Sequence, residues 1–259
     1  MNRLAWIPAL GLANLRSELV RPWNVAVLAT FMALNNFVWF VVWGLFFGLA
    51  GDVRGWTLRD VTEIYGILAV AYGIYATFFG GARNVALFVH NGALDVYLGR
   101  PRSPLLGVLF SRCDPTGFGD IASGAVLIAW AAGSAAELLL ALVFATIGSC
   151  VLVAVYVTIN CLAFWSSARP RLCDQLFEAF LQFAMVPQIG LPVFVKALLY
   201  TALPAAFVAF VPVEILRDFS LGKTVALVAA AAVFPAVAAG VFGLGLRRYA
   251  SGSRVFEGR

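Results

Sequence analysis

Of the chain's 259 residues, 62% are hydrophobic and only 12% are charged, whereas a soluble domain carries about 25% charged residues. That leaves too little polar surface for a water-soluble domain and predicts an all-α polytopic membrane protein. The apolar runs are continuous, several near or above the roughly 20 residues that cross a bilayer as a helix, which excludes a barrel of short alternating strands.

Taken in chain order, residues 1–22 place Leu4, Ile7, Leu10, Leu12 and Leu15 among Arg3, Arg16, Glu18 and Arg21. The pattern suits an amphipathic helix lying on the inner membrane surface. Its scattered charges and missing cleavage site set it apart from a cleavable signal peptide. Six spans are predicted, at about residues 24–50, 61–79, 121–136 with its start nearer Asp120, 138–165, from about 177, and 224–246. Span 1 carries an aromatic flank of Trp39, Phe40, Trp43 and Phe47, a wall for lipid or for another subunit.

Asn35 and Asn36 lie in the middle of span 1, and Asn160 lies in span 4. Polar groups at such depth face other helices or a cavity. The three are read first as interhelical hydrogen-bonding groups and second as substrate contacts. Glu63 and Asp120 fall near span ends, where water is expected to reach them.

Residues 177–218 are too long for one span and too short for two with a proper loop, and they contain Pro187, Pro192, Pro204 and Pro212. One reading is a span over 177–195 followed by a broken re-entrant pair at 196–218 on the outer side. Irregular backbone at that depth must be covered by protein or line a cavity. The alternative is a span over about 195–213, with the preceding part in the interface. In span 6, Ala236 and Gly240, like Ala239 and Gly243, are four apart. That spacing makes a close-packing face, within the subunit or between subunits, and Pro235 predicts a kink.

An even number of spans puts both termini on one side. Thirteen of the 18 Lys and Arg residues then fall on that side, which the positive-inside rule makes cytoplasmic. The net charge of +5 is therefore read as orienting loop charge, with no nucleic acid as partner.

Nothing points to catalysis. His90 is the sole histidine, and neither H-E-x-x-H nor G-x-S-x-G occurs. The phrase SLGKT at 220–224 looks like the tail of a phosphate loop, but Arg217 stands where that loop needs its first glycine. The four cysteines lack C-x-x-C spacing, so neither a zinc site nor a disulfide framework is predicted.

The most informative stretch is GALDVYLGRPRSPL, residues 92–105. Gly92 and Asp95 suit the start of a short helix, with Asp95 near its positive end. Leu94, Val96 and Leu98 supply apolar contact, while Pro101 and Pro104 prevent a long continuation. A solvated loop has no use for that apolar content; a helix that presses into a groove on another protein does.

The phrase GALDVYLGRP, residues 92–101, resembles the cytoplasmic signature of ABC-2-type permeases, in a branch that reads roughly G-x-L-D-x-x-L-x-R-P. FEAFLQFAMVPQIGLPVF at 177–194, LPAAFVAFVPVEIL at 203–216 and LRRYASGS at 246–253 extend the resemblance over nearly the whole chain. The resemblance implies a single transmembrane domain over 1–259, with six spans, an N-terminal interfacial helix and a short cytoplasmic coupling helix in 92–105. It implies the permease of an ATP-driven exporter in the bacterial cytoplasmic membrane. Its partners would be membrane lipids, a second permease, homologous or identical, and cytoplasmic ATPase subunits that bind ATP and Mg. The chain itself would hold no cofactor. By the same resemblance the ATPase-coupling role falls on Gly92, Leu94, Asp95, Leu98, Arg100 and Pro101. A gate or outer-cavity role falls on Pro187, Pro192, Pro204 and Pro212. Gly99 stands where the branch is often apolar, which would shorten the helix. The competing reading is a secondary transporter driven by an ion gradient. It predicts internal repeats and midplane charges, neither of which the sequence displays.

Overall fold

A computed structural model describes residues 6–100, 103–166, 169–185 and 191–249. Every regular element among them is helical. In order they are α1 (Trp6–Leu19), α2 (Pro22–Ala50) and α3 (Leu58–Phe79), followed by a 3-10 turn at Gly80–Asn84. Then come α4 (Val85–Asn91), α5 (Asp95–Leu98), α6 (Pro104–Leu109), α7 (Thr116–Ala131) and α8 (Ala135–Asn160). A 3-10 turn at Cys161–Phe164 leads to α9 (Pro170–Met185) and α10 (Val193–Tyr200). Another at Ala205–Phe207 leads to α11 (Phe210–Arg217) and α12 (Leu221–Leu246).

Four stretches are long and apolar enough to cross a membrane: Pro22–Ala50, Leu58–Asn91, Ala135–Phe164 and Leu221–Leu246. The chain is an all-α, multi-pass membrane protein. α7 is apolar but has only 16 residues, a rise of about 24 Å.

The long helices begin where polar caps meet apolar runs. Thr57 and Asp60 form a reciprocal capping box at the start of α3. Ser134 accepts from the Glu137 amide before α8, and Ser220 from the Lys223 amide before α12. Each satisfies a backbone donor that would otherwise lack a partner. The Ser134 cap also explains a shift from sequence expectation. The span expected at 121–136 starts earlier, at Thr116, and ends at Ala131, because residues 132–134 turn to cap α8.

α3 is the centre of the molecule, packed against α7 on one side and α8 on the other. Four glycines make the α3–α7 crossing close. A Cβ on Gly73 would sit 2.6 Å from the Gly117 carbonyl oxygen, and one on Gly124 would sit 2.8 Å from that of Gly66. Two glycine pairs at the same seven-residue interval let backbone meet backbone. α12 packs on α8, and Leu227, Ala230, Ala238 and Phe242 are buried along it. α2 meets α7 where Gly119 faces the Ala29 carbonyl, but most of α2 is exposed.

A continuous span over 177–195 is not what forms. α9 starts at Pro170 and is helical through Met185, Leu191 and Pro192 are not helical, and a separate helix, α10, starts at Val193. Thr201–Pro204 then lines a crevice together with Ala154, Thr158 and Ile159 of α8 and Phe234 of α12. The chain continues to α11, which meets the start of α3 where Phe210 stacks on Trp56, 5.1 Å between ring centres.

Candidate functional site

Two places collect the polar side chains that the packing leaves for function. The first is the end of the molecule where α1 and α4 to α6 meet. Gly92, at φ 77°, sits in the left-handed conformation that closes α4, a conformation glycine adopts without strain. It therefore ends one helix and does not start the next; α5 begins at Asp95 and lasts four residues. The Leu94 amide donates to the Phe88 carbonyl at 3.3 Å, and the Phe88 and Tyr97 rings stack at 5.5 Å. On its other side Tyr97 covers Gly107 of α6, leaving no room there for a Cβ.

This clamping divides the apolar residues expected to meet a partner. Leu94 is fully buried (0% exposed) and belongs to the chain's own core, which corrects its assignment to a partner groove. Val96 at 58% and Leu98 at 40% exposure stay free. Arg100 lies beyond them, its guanidinium 5.6 Å from the centre of the Tyr97 ring. The end of α12 closes in from the side, where burial, then neighbouring Asp95, pushes the Tyr249 phenol up to about 12. α1 joins the same cluster, as Asn14 Nδ2 donates to the Phe110 carbonyl at 2.6 Å. Pro101, Pro187 and residues 250–253 of the C-terminal phrase lie outside the described residues.

The second place is a cavity of ≈ 240 Å³ between α2, α3, α7 and α9. Met32, Trp39, Tyr65, Leu68 and Tyr72 supply its apolar and aromatic walls, and Asn35, Asn36, Asp120, Glu178 and Gln182 its polar ones. Asn36 Nδ2 donates to Asp120 Oδ1 at 2.8 Å and to Ser123 Oγ at 2.9 Å. The other Asp120 oxygen is buried and has no hydrogen-bond partner among the described residues.

Water was expected at Asp120 and Glu63, yet each is 2% exposed. Asp120 lies a full turn inside α7 because that helix starts at Thr116, and Asn36 covers it. Glu63 is enclosed because α3 is surrounded from its first turn onward.

The remaining candidates are dispersed. Asn160 is fully buried and accepts from the Ala86 amide at 3.2 Å, stapling α8 to α4. Pro192 caps α10, Pro204 lines the crevice beside α8, and Pro212 is buried within α11. The far end, opposite α1, holds its own charges. Arg217 lies 3.4 Å from Asp60 and 4.4 Å from the Trp56 ring centre, and Lys223 lies 3.4 Å from Glu214.

Sequence reasoning missed Glu178 and Gln182 of α9, which reach the cavity, and Asp174, which pairs with Arg83 at 3.4 Å. The signal was available. Asp174, Glu178 and Gln182 recur every four residues, one helical face, but α9 was expected to start only at Phe177.

A clamped amphipathic turn thus lies at one end of the helical membrane bundle, and a mixed polar and aromatic cavity lies between its helices. Residues 33–253 match the family described as ABC-2 family transporter protein. The chain belongs to that family. No curated protein and no solved structure matches it.

Proposed function

We propose that the chain is the permease subunit of an ATP-driven exporter that moves an amphipathic or hydrophobic substrate across the bacterial cytoplasmic membrane. Its six spans, cytoplasmic termini and second permease copy, identical or homologous, belong to this proposal. ATP and Mg are bound and used by a cytoplasmic ATPase subunit; this chain contributes no hydrolytic group. The observation that carries the reading is the α5 turn, where Val96, Leu98 and Arg100 project from a segment whose Leu94 is locked in the core. An apolar and cationic tip on a rigid base suits a groove on a partner, and a rigid base can pass force inward. The mixed lining of the cavity supports the amphipathic substrate class. Small-residue positions Gly240 and Gly243 of α12, with open space around them, support a second permease copy.

One observation favours an ion-gradient-driven transporter instead. Asp120 is a buried carboxylate with one oxygen unpartnered, inside the cavity, where an ion or proton could bind. The test is purification of the tagged chain from its native membranes. The exporter reading expects a co-purifying ATPase with measurable hydrolysis; a chain that emerges alone, with transport abolished by a protonophore, favours the ion-driven reading.

A further inference from the structure

The link between the α5 turn and the cavity is built into the fold. The 3-10 turn Gly80–Asn84 lies between them and is held hard on the docking side. A Cβ on Gly81 would sit 1.8 Å from the Val108 carbonyl oxygen of α6, so the turn cannot slide on that helix. It runs directly into α4, which Leu94 and Tyr97 clamp to α5. From this node Arg83 reaches to α9, its Nε 3.4 Å from Asp174 Oδ1. The Tyr156 hydroxyl of α8 donates to the same Asp174 oxygen. Asp174 then heads the polar face that continues through Glu178 and Gln182 into the cavity. The opposite face of α9 carries Phe177 and Phe180 against the core, with Phe177 stacked 3.8 Å from Tyr156. One side of the helix rests on the Tyr156 ring, while Asp174 is tied by charge to Arg83 at the docking node and by a hydrogen bond to the Tyr156 hydroxyl.

We infer that Arg83, acting through Asp174, is the positioning residue by which movement of the α5 docking turn shifts α9 at the cavity. The inference rests on the ATPase-coupled reading above. The pair is half-exposed, so it adds little to stability, and breaking it separates coupling from folding.

The experiment uses the full chain with its co-purified ATPase in nanodiscs, carrying Gln182→Cys and Cys150→Ser. The labelling rate of Gln182→Cys by a small maleimide is read with and without ATP plus vanadate. With Arg83 and Asp174 intact, nucleotide changes the rate several-fold. Asp174→Asn retains an oxygen for the Tyr156 hydroxyl but removes the charge, and abolishes the change while the complex still assembles and hydrolyses ATP. Arg83→Gln does the same, and Arg83→Lys, which keeps the charge, retains the response.

A nucleotide response that survives both Asp174→Asn and Arg83→Gln overturns the inference. So does a response lost equally in Arg83→Lys and Arg83→Gln, which would assign the effect to packing of the guanidinium. Loss of assembly in Asp174→Asn makes the residue structural and overturns it as well. An ATPase-bound native pair whose labelling ignores nucleotide overturns the inference alone, whereas a native chain with no ATPase removes the functional reading and the inference together.

Discussion

α2 and α3 are both long apolar helices, and the structure uses them in opposite ways. In the membrane-crossing stretch of α3 and its continuation, 78% of the most apolar window is buried inside the chain; for α2 the figure is 11%. α3 is glycine-stitched to α7 and backed by α8, so its contacts are fixed within one subunit. α2 and α12 form the rim, and α12 is only 22% buried by the same measure. Apolarity does not mark the buried helix: mean hydropathy is 1.5 for the α3 stretch against 2.0 for α2 and 2.4 for α12. What separates them is whether small residues let a neighbour's backbone come close.

The sharpest way to break this contrast is to place a side chain in each kind of helix at a glycine. Gly73→Leu puts atoms where the Gly117 carbonyl already stands. Overpacking costs about 1–3 kcal/mol where side chains can adjust. Here backbone would have to move, so folded protein should vanish from the monodisperse peak of a fluorescent fusion. Gly240→Leu has nothing within 4 Å inside the chain, and its melting temperature as an isolated subunit should match wild type. A folded Gly73→Leu variant would dissolve the distinction between core and rim.

The same contrast runs through the α5 turn. Leu94→Ala empties a fully buried site, and burial losses of this kind cost about 2–5 kcal/mol. Thermal unfolding in detergent should show that loss. Val96→Ala, two residues on and exposed, should leave the unfolding temperature unchanged. Asn36→Leu comes next in size. It removes the donor to buried Asp120, and an orphaned buried acceptor costs about 1–3 kcal/mol, read by the same melt. The smallest effect belongs to the rim of the far end. Arg59 pairs with Glu137 at 2.6 Å near the surface, so Arg59→Gln should lower stability by under about 1 kcal/mol, less in high salt.

Much of this was legible in the sequence, and what was missed has physical causes. The membrane class, the long apolar helices and the short turn after Gly92 follow from composition, run length and proline placement. The small-residue pairs of α12 were legible too, but they mark a face that is empty within the subunit, while the working glycine seam is that of Gly66, Gly73, Gly117 and Gly124. A seven-residue interval in each of two helices carries no sign of its partner until the helices are brought together. Leu94 was read as a docking residue because a four-residue helix has no periodicity to tell its inner face from its outer one. Asp120 was read as wetted because α7 starts five residues earlier than the apolar run alone indicates, and Asn36, 84 residues away in sequence, covers it. The polar face of α9 escaped because its first two turns, PRLCDQL, follow Arg169 and look like a charged loop.

The claim that the α5 turn is the contact with an ATPase can be tested at one exposed valine. A photo-crosslinking residue is placed at Val96, 58% exposed in α5, or at Val225, 59% exposed near the start of α12 at the opposite end, and native membranes are illuminated. The account expects an adduct with a nucleotide-binding subunit from position 96 and none from position 225. Equal capture at both positions, or a silent Val96 beside a productive Val225, would contradict it.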